Sequence, residues 1–349
     1  MRRMASSAPS PRILVTGGSG YVAGVLIRQL LAGGWQVNTS VRDLAREPEL
    51  RQLLGVASGD DQLRCFAADL TADAGWAEAA AGCSHLAHVA SPLPAGVPRD
   101  ANELIVPARD GALRALKAAR DAGVRRVVMT SSVAAIAYGH GPGEHHLTEA
   151  DWTNLGAPGI PPYVQSKAVA ERAARDWVAR EGGGLEFCTV NPSVVLGPVA
   201  SADYSASVLI VRRLLEGRLP ALPNIGFGIV DVRDVAELHW RALTAPQRMA
   251  DERFIACGGF LWLREIAAIL RAELGDQARK VPTLALPDWS VRLLARFSPT
   301  VRAAASELGT ARHQDSSHAR ERLGWVPRAP REAIVATARD LMALGSVTR

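Results

Sequence analysis

The sequence predicts an α/β fold, a doubly wound parallel sheet of the Rossmann kind with a smaller C-terminal substrate-binding lobe. Three observations predict it. Short apolar runs alternate with Ala-, Leu- and Arg-rich stretches of helical spacing, the pattern of a parallel sheet covered on both faces. The first run leads directly into a glycine-rich turn and an amphipathic helix. After Pro198 that rhythm weakens, Pro and Gly become frequent, and helical patterns dominate the tail.

Taken in order, Ile13-Leu14-Val15 is the first strand, TGGSG (Thr16 to Gly20) the turn, and Val22, Leu26, Ile27, Leu30 and Leu31 the buried stripe of the first helix, closed by Gly33-Gly34. Further strands are expected at Val37 to Val41, Leu63 to Phe66, His85 to Val89, Arg126 to Thr130 and Leu185 to Val190. Helices are expected at Leu113 to Ala122 and Val164 to Arg180. Beyond Pro198 a strand at Phe254 to Ala256 precedes a helix at Trp262 to Leu274. The division expected is a disordered leader over residues 1–11, a dinucleotide-binding domain with the catalytic groups over 12–198, and a substrate lobe over 199–349. The chain is expected to cross back to the sheet within that last part.

Composition narrows the function classes. Of 349 residues, 48% are hydrophobic and 21% charged, an ordinary globular balance. The net charge of +5 is scattered and arginine-borne, which argues against nucleic-acid binding. Cys65, Cys83, Cys188 and Cys257 match no zinc or disulfide spacing. No uncharged apolar run approaches the ~20 residues of a membrane span, and the leader lacks an apolar core. The expectation is a cytoplasmic monomer or homodimer with no nucleic-acid or membrane partner.

The chemistry sits at strand ends. In TGGSGYVAG a glycine-rich turn opening a helix lets backbone N–H groups approach a pyrophosphate at the helix's positive end. Gly17 and Gly20 fit the pattern T-G-x-x-G-x-x-G, with Ala23 at its last position and Gly24 one step late. The second strand ends Thr39-Ser40-Val41-Arg42-Asp43 with Arg46 nearby. An acid there suits the ribose hydroxyl of NAD, and an arginine suits a 2′-phosphate. Arg42 favours NADP(H), while Asp43 stands either as its neutralising partner or as the ribose acid.

Ser131-Ser132 follows the strand ending at Thr130, and Tyr163 and Lys167 stand four apart at a helix start after Pro161-Pro162. With four tyrosines and three lysines in the chain, a chance Y-x-x-x-K is rare. A phenol of pKa ~10 works poorly near neutrality, and a neighbouring ammonium favours its ionised form. Tyr163 can then donate a proton to a carbonyl oxygen that a serine hydroxyl holds. His85 and His88 point to opposite faces of one strand, and His145-His146 falls in a Gly/Pro-rich loop, so no metal site is expected.

VTGGSGYVA, SVRD, AADL, HVASP, VVMTSS, YVQSK, NPSVVLGP and DVRDVAELH, in that order, resemble the extended short-chain dehydrogenases/reductases. Within them the chain looks most like the dihydroflavonol-reductase, cinnamoyl-CoA-reductase and yeast methylglyoxal-reductase group. The resemblance implies an NADPH-dependent reduction of an aldehyde or ketone with Ser132, Tyr163 and Lys167 as catalytic residues, Ser131 being structural. It implies cofactor contacts from Gly17, Gly20, Tyr21, Val22, Arg42 and Thr130, from Asp69 and Leu70 beside the adenine, and from Val89, Ala90 and Ser91 along the cofactor backbone. Pro192 and Val195 would line the nicotinamide, Ser207 would approach a phosphate, and Lys167 would also hold the ribose. Ala137, Pro162, Tyr204 and Phe227 are the expected substrate walls. Plant flavonoid reductases commonly place a polar contact where Ala137 stands, which argues against flavonoid specificity and for a small hydrophobic carbonyl compound. The alternatives are an NAD-dependent nucleotide-sugar epimerase or dehydratase, and a non-catalytic NADP sensor of the same fold.

Overall fold

The computed structural model describes residues 11–92, 98, 100–201, 205–297, 301 and 305–347. Nearly all of the expected leader, and Tyr204, lie outside them. The central sheet holds seven strands, all parallel: β1 (Arg12–Val15), β2 (Gln36–Val41), β3 (Leu63–Ala67), β4 (His85–His88), β5 (Arg126–Thr130), β7 (Glu186–Pro192) and β10 (Glu252–Ala256). Their order is β10-β7-β5-β4-β1-β2-β3. The order reverses direction at β1, where a doubly wound sheet opens a crevice at its carboxyl edge.

Strand alternation explains how both faces are filled. Ile13 and Val15 face one apolar layer with α1 (Tyr21–Ala32) and α7 (Val232–Thr244), while Leu14 faces the other. That second layer contains α3 (Trp76–Ala80), α4 (Asn102–Asp121) and α5 (Pro162–Glu181), behind the short α2 (Glu47–Leu54) in sequence. Gly33 ends α1 as expected, and a side chain there would run into the Trp240 ring of α7.

A second, three-stranded sheet joins β8 (Val194–Leu196), β9 (Gly226–Asp231) and β11 (Gly259–Trp262). It packs with α6 (Val208–Leu215), α8 (Leu263–Leu274) and the C-terminal helix Pro330–Ala343 around a third apolar cluster. Between β9 and β11 the chain returns to the central sheet through α7 and β10, so the expected strand at Phe254 to Ala256 forms the sheet's edge.

Two readings need correction. The helix expected from Leu113 begins eleven residues earlier, at Asn102, because Pro107 sits inside it rather than ending it. His145-His146 belongs not to a loop but to β6 (Glu144–Leu147), which pairs in parallel with β12 (Ala311–Gln314). Flanking glycines disguised a four-residue strand whose partner lies far along the chain. Among the described residues no helix is long and apolar enough to cross a membrane.

Candidate active site

The glycine-rich turn is bolted to three strand ends. Gly17 adopts φ +72°, which only glycine takes without strain, and a side chain there would press on Ala90. Its N–H donates to Ser40 Oγ at 2.9 Å, and Gly18 N–H donates to the Ser40 carbonyl at 3.0 Å, tying the turn to β2. Thr16 Oγ1 accepts from the N–H groups of Val89 (3.0 Å) and Ala90 (2.9 Å), tying it to the end of β4. With both lone pairs used, the Thr16 hydroxyl donates to His88 Nδ1 at 3.1 Å. Helix α1 then starts at Tyr21, where the first-turn N–H groups lack intrahelical acceptors. The Tyr21 side chain turns away into the core, its hydroxyl buried without a hydrogen bond, so only its backbone can serve a ligand.

At the end of β2, the Asp43 carboxylate accepts from Ala45 N–H at 2.9 Å and caps a short turn. That use leaves Arg42 exposed, with no hydrogen bond or ion pair to a described residue. Arg42 and Arg46 line a cleft of about 310 Å³ together with Ser19, Asp43, Leu50 and Ser201. Asp69, across from them, is held below the ordinary carboxylate range by its hydrogen bonds from Thr71 and, more weakly, by the Arg42 charge. Leu70 packs against Gly111 of α4. A tight glycine turn, an open helix N-terminus and an arginine in a cleft without a described partner fit a dinucleotide carrying an extra phosphate.

The end of β5 is gripped from both sides. Thr130 Oγ1 donates to His239 Nε2 at 2.7 Å, because His239 Nδ1 gives its proton to the Val235 carbonyl at 2.8 Å. Ser131 Oγ donates to Glu171 at 2.5 Å on the opposite face. Ser132 accepts from Ala134 N–H at 3.1 Å, its hydroxyl donates to the Pro192 carbonyl at 3.4 Å, and its carbonyl accepts from Asn191 at 3.2 Å; the hydroxyl also lies near enough to the Tyr163 phenol to favour its ionised form. Pro162 is the first residue of α5, so Tyr163 falls in the opening turn and Lys167 one turn later on the same side. Lys167 Nζ lies 6.0 Å from the Tyr163 ring centre and forms no hydrogen bond to a described residue.

Burial raises the Tyr163 phenol above its ordinary pKa, against the influence of the Ser132 hydroxyl. Burial lowers the Lys167 ammonium to about 8, while the Glu171 carboxylate resists that fall. His88 is pushed down to about 3 by burial and by the Lys167 charge, so its ring is neutral near pH 7.

The structure therefore brings Ser132, Tyr163 and Lys167 together. Val89, Ala90 and Ser91 follow β4 on the same edge of the sheet, and Pro192 and Val195 lie at the end of β7 and on β8. Pro162 and Phe227 are half-buried, and Ser207 directly precedes α6. Ala137 departs from expectation. It is only 1% exposed, packed with Ile136, Leu147, Ile255 and Cys257, and is a core position rather than an open pocket wall. Sequence reading missed Glu171, Asn191, Ser40 and His239. Only Glu171 left a local signal, its four-residue spacing from Lys167. Among the described residues no group of three or more His, Cys, Asp or Glu is placed to hold a metal ion.

The model of the NAD dependent epimerase/dehydratase family matches residues 13–258. The chain belongs to that family. Its sequence is 33% identical to a cinnamoyl-CoA reductase of Medicago truncatula over 296 residues, 82% of this chain and 85% of the relative. It is 30% identical to a (2S)-flavan-3-ol-forming anthocyanidin reductase of Vitis vinifera over 284 residues, 77% of this chain and 82% of that one. Among solved structures, Gre2 of Candida albicans in complex with NADPH superimposes with a TM-score of 0.78 at 25% identity, over 96% of this chain and 99% of that one. This family member accordingly sits among the extended short-chain dehydrogenases/reductases that its ordered motifs resemble, and its sheet has the expected doubly wound form.

Proposed function

We propose that this protein reduces an aldehyde or ketone to the alcohol with NADPH, reversibly, as a cytoplasmic monomer or homodimer. The carrying observation is the gathering of Ser132, the Tyr163 phenol and the buried Lys167 on the same sheet edge as the glycine turn. The cofactor is held by the turn at Gly17 and Gly20, by the first-turn N–H groups of Tyr21 and Val22, and by Arg42 on its 2′-phosphate. When bound, it supplies the hydride.

The chain's own groups do the rest. Ser132 donates a hydrogen bond to the carbonyl oxygen and fixes its distance from Tyr163. Burial keeps the phenol protonated until the oxygen gathers charge, and Tyr163 then donates its proton. The Lys167 ammonium stabilises the phenolate left behind and holds the ribose. Residues after 198 supply most of the substrate lobe, with Phe227 and Pro162 offering apolar walls suited to a small hydrophobic carbonyl compound.

The reading is supported by relatives that are named reductases and by a neighbour solved with NADPH. It is tested by assaying a panel of aldehydes and ketones, aromatic and aliphatic, with NADPH and with NADH. Turnover of several apolar carbonyls with NADPH preferred is expected. Turnover of UDP-sugars alone, with NAD, would move the protein to the epimerase class.

A further inference from the structure

One turn beyond Lys167 on α5 stands Glu171, whose side chain is 0% exposed. A carboxylate so placed persists only when donors replace its water. Oε2 accepts from Ser131 Oγ at 2.5 Å and from Asn191 Nδ2 at 2.8 Å. Oε1 accepts from Arg253 Nε at 2.7 Å and Arg175 Nε at 3.3 Å. Asn191 is oriented in turn, because its Oδ1 accepts from Thr189 Oγ1 at 2.9 Å. The remaining Nδ2 proton of Asn191 goes to the Ser132 carbonyl at 3.2 Å. Two short routes thus run from the carboxylate to the strand end bearing Ser132.

The same carboxylate stands one helical turn from Lys167 on α5, near enough for its charge to be felt without a direct ion pair. Burial opposes its ionisation, but Arg253, Arg175 and the Ser131 hydroxyl outweigh burial and hold it below the usual carboxylate range. Around Lys167 the other titratable groups are Tyr163 on its own helix and His88 on β4, and His88 is neutral near pH 7. Around Glu171 they are Arg175 on α5 and Arg253 on β10, backed by Asp251 and Glu149. Glu171 is thus the anion that supports the lysine's charge.

The geometry points to Glu171 as a positioning residue for the proposed reduction: it supplies the counter-charge to Lys167 and, through Ser131 and Asn191, fixes the strand end that carries Ser132. This inference rests on the reductase reading, but its test does not need turnover. A role confined to joining α5, β7 and β10 would leave the titration of Lys167 unmoved, and that separates the two.

The chain has three lysines, Lys117, Lys167 and Lys280, so protein labelled with ¹³C-lysine gives three resolvable Cε titrations. In the wild type Lys167 should titrate at about 8. Glu171→Gln should lower that midpoint by about one pH unit. The alkaline limb of kcat/KM should move by the same amount in the same direction. Ser131→Ala keeps the carboxylate charged, so it should leave the midpoint in place and lower kcat several-fold. Because Glu171→Gln leaves Arg253 facing a neutral group, Glu171→Gln/Arg253→Met is measured beside it and should show the same fall.

A folded Glu171→Gln or double variant in which Lys167 titrates as in wild type overturns the counter-charge. Full kcat in Ser131→Ala overturns the anchoring. Should neither glutamine variant fold, a wild-type Lys167 midpoint below pH 7 would itself contradict an effective counter-charge. A wild type with the expected titrations and no carbonyl turnover would instead sink the reductase reading and leave the Glu171–Lys167 coupling standing.

Discussion

At the end of β5, Thr130 and Ser131 are bonded into the helical layers on either side, to His239 and Glu171, and Ser132 to Asn191 of the neighbouring strand β7. Three strands along the sheet, at the end of β2, Arg42 stands exposed with no hydrogen bond or ion pair to a described residue. Both places are strand ends on one edge, yet one is buried and cross-braced and the other is open. The contrast suits the role proposed for each. Proton donation needs hydroxyls held to a fraction of an ångström, which only a packed network provides. Recognition of a phosphate needs a charge within reach, and a surface arginine supplies that without burdening the fold.

The comparison predicts that substitutions at the braced end strike turnover, whereas those at the open end strike cofactor choice. Ser132→Ala should lower kcat ~10²–10³-fold, the usual loss for one oxygen-holding donor, with NADPH binding kept. Fluorescence titration of NADPH beside steady-state kinetics checks it, and an unchanged kcat would remove Ser132 from the chemistry. Arg42→Ala should erase most of the preference for NADPH over NADH, roughly ten- to a hundred-fold. Its kcat with NADH and its Tm should stay near wild type. A retained preference would place the phosphate contact elsewhere, Arg46 being the next cation in the cleft.

The smallest effect on catalysis should come from Ala137→Phe. Ala137 is packed against Ile255 and Cys257, so a larger ring overpacks the core, costing about 1–3 kcal/mol of stability. A lowered Tm with an unaltered ranking of carbonyl substrates is expected. A changed ranking at constant Tm would return Ala137 to the substrate wall.

What was legible in the sequence was what is local. The strand Ile13–Val15, the glycine turn and α1 are contiguous, and the Tyr163–Lys167 spacing of one helical turn is visible without a fold. Illegible features depend on partners far along the chain. Glu171 reads as an ordinary charge in AERAARD until β10 brings Arg253 against it. Ala137 reads as a pocket residue until β10 supplies Ile255 behind it. The β6 strand was hidden because β12 completes it. Asp43 left two alternatives open, and the cap on Ala45 shows that its carboxylate is engaged away from Arg42.

The central claim is that Tyr163 donates the proton at the braced end of the sheet. Single-turnover oxidation of bound NADPH by a saturating hydrophobic aldehyde tests it most directly, with wild type and Tyr163→Phe run side by side. Loss of the phenol's proton should slow that step ~10²–10⁴-fold while NADPH affinity and Tm hold. A Tyr163→Phe protein that oxidises NADPH at a rate near wild type would contradict the account.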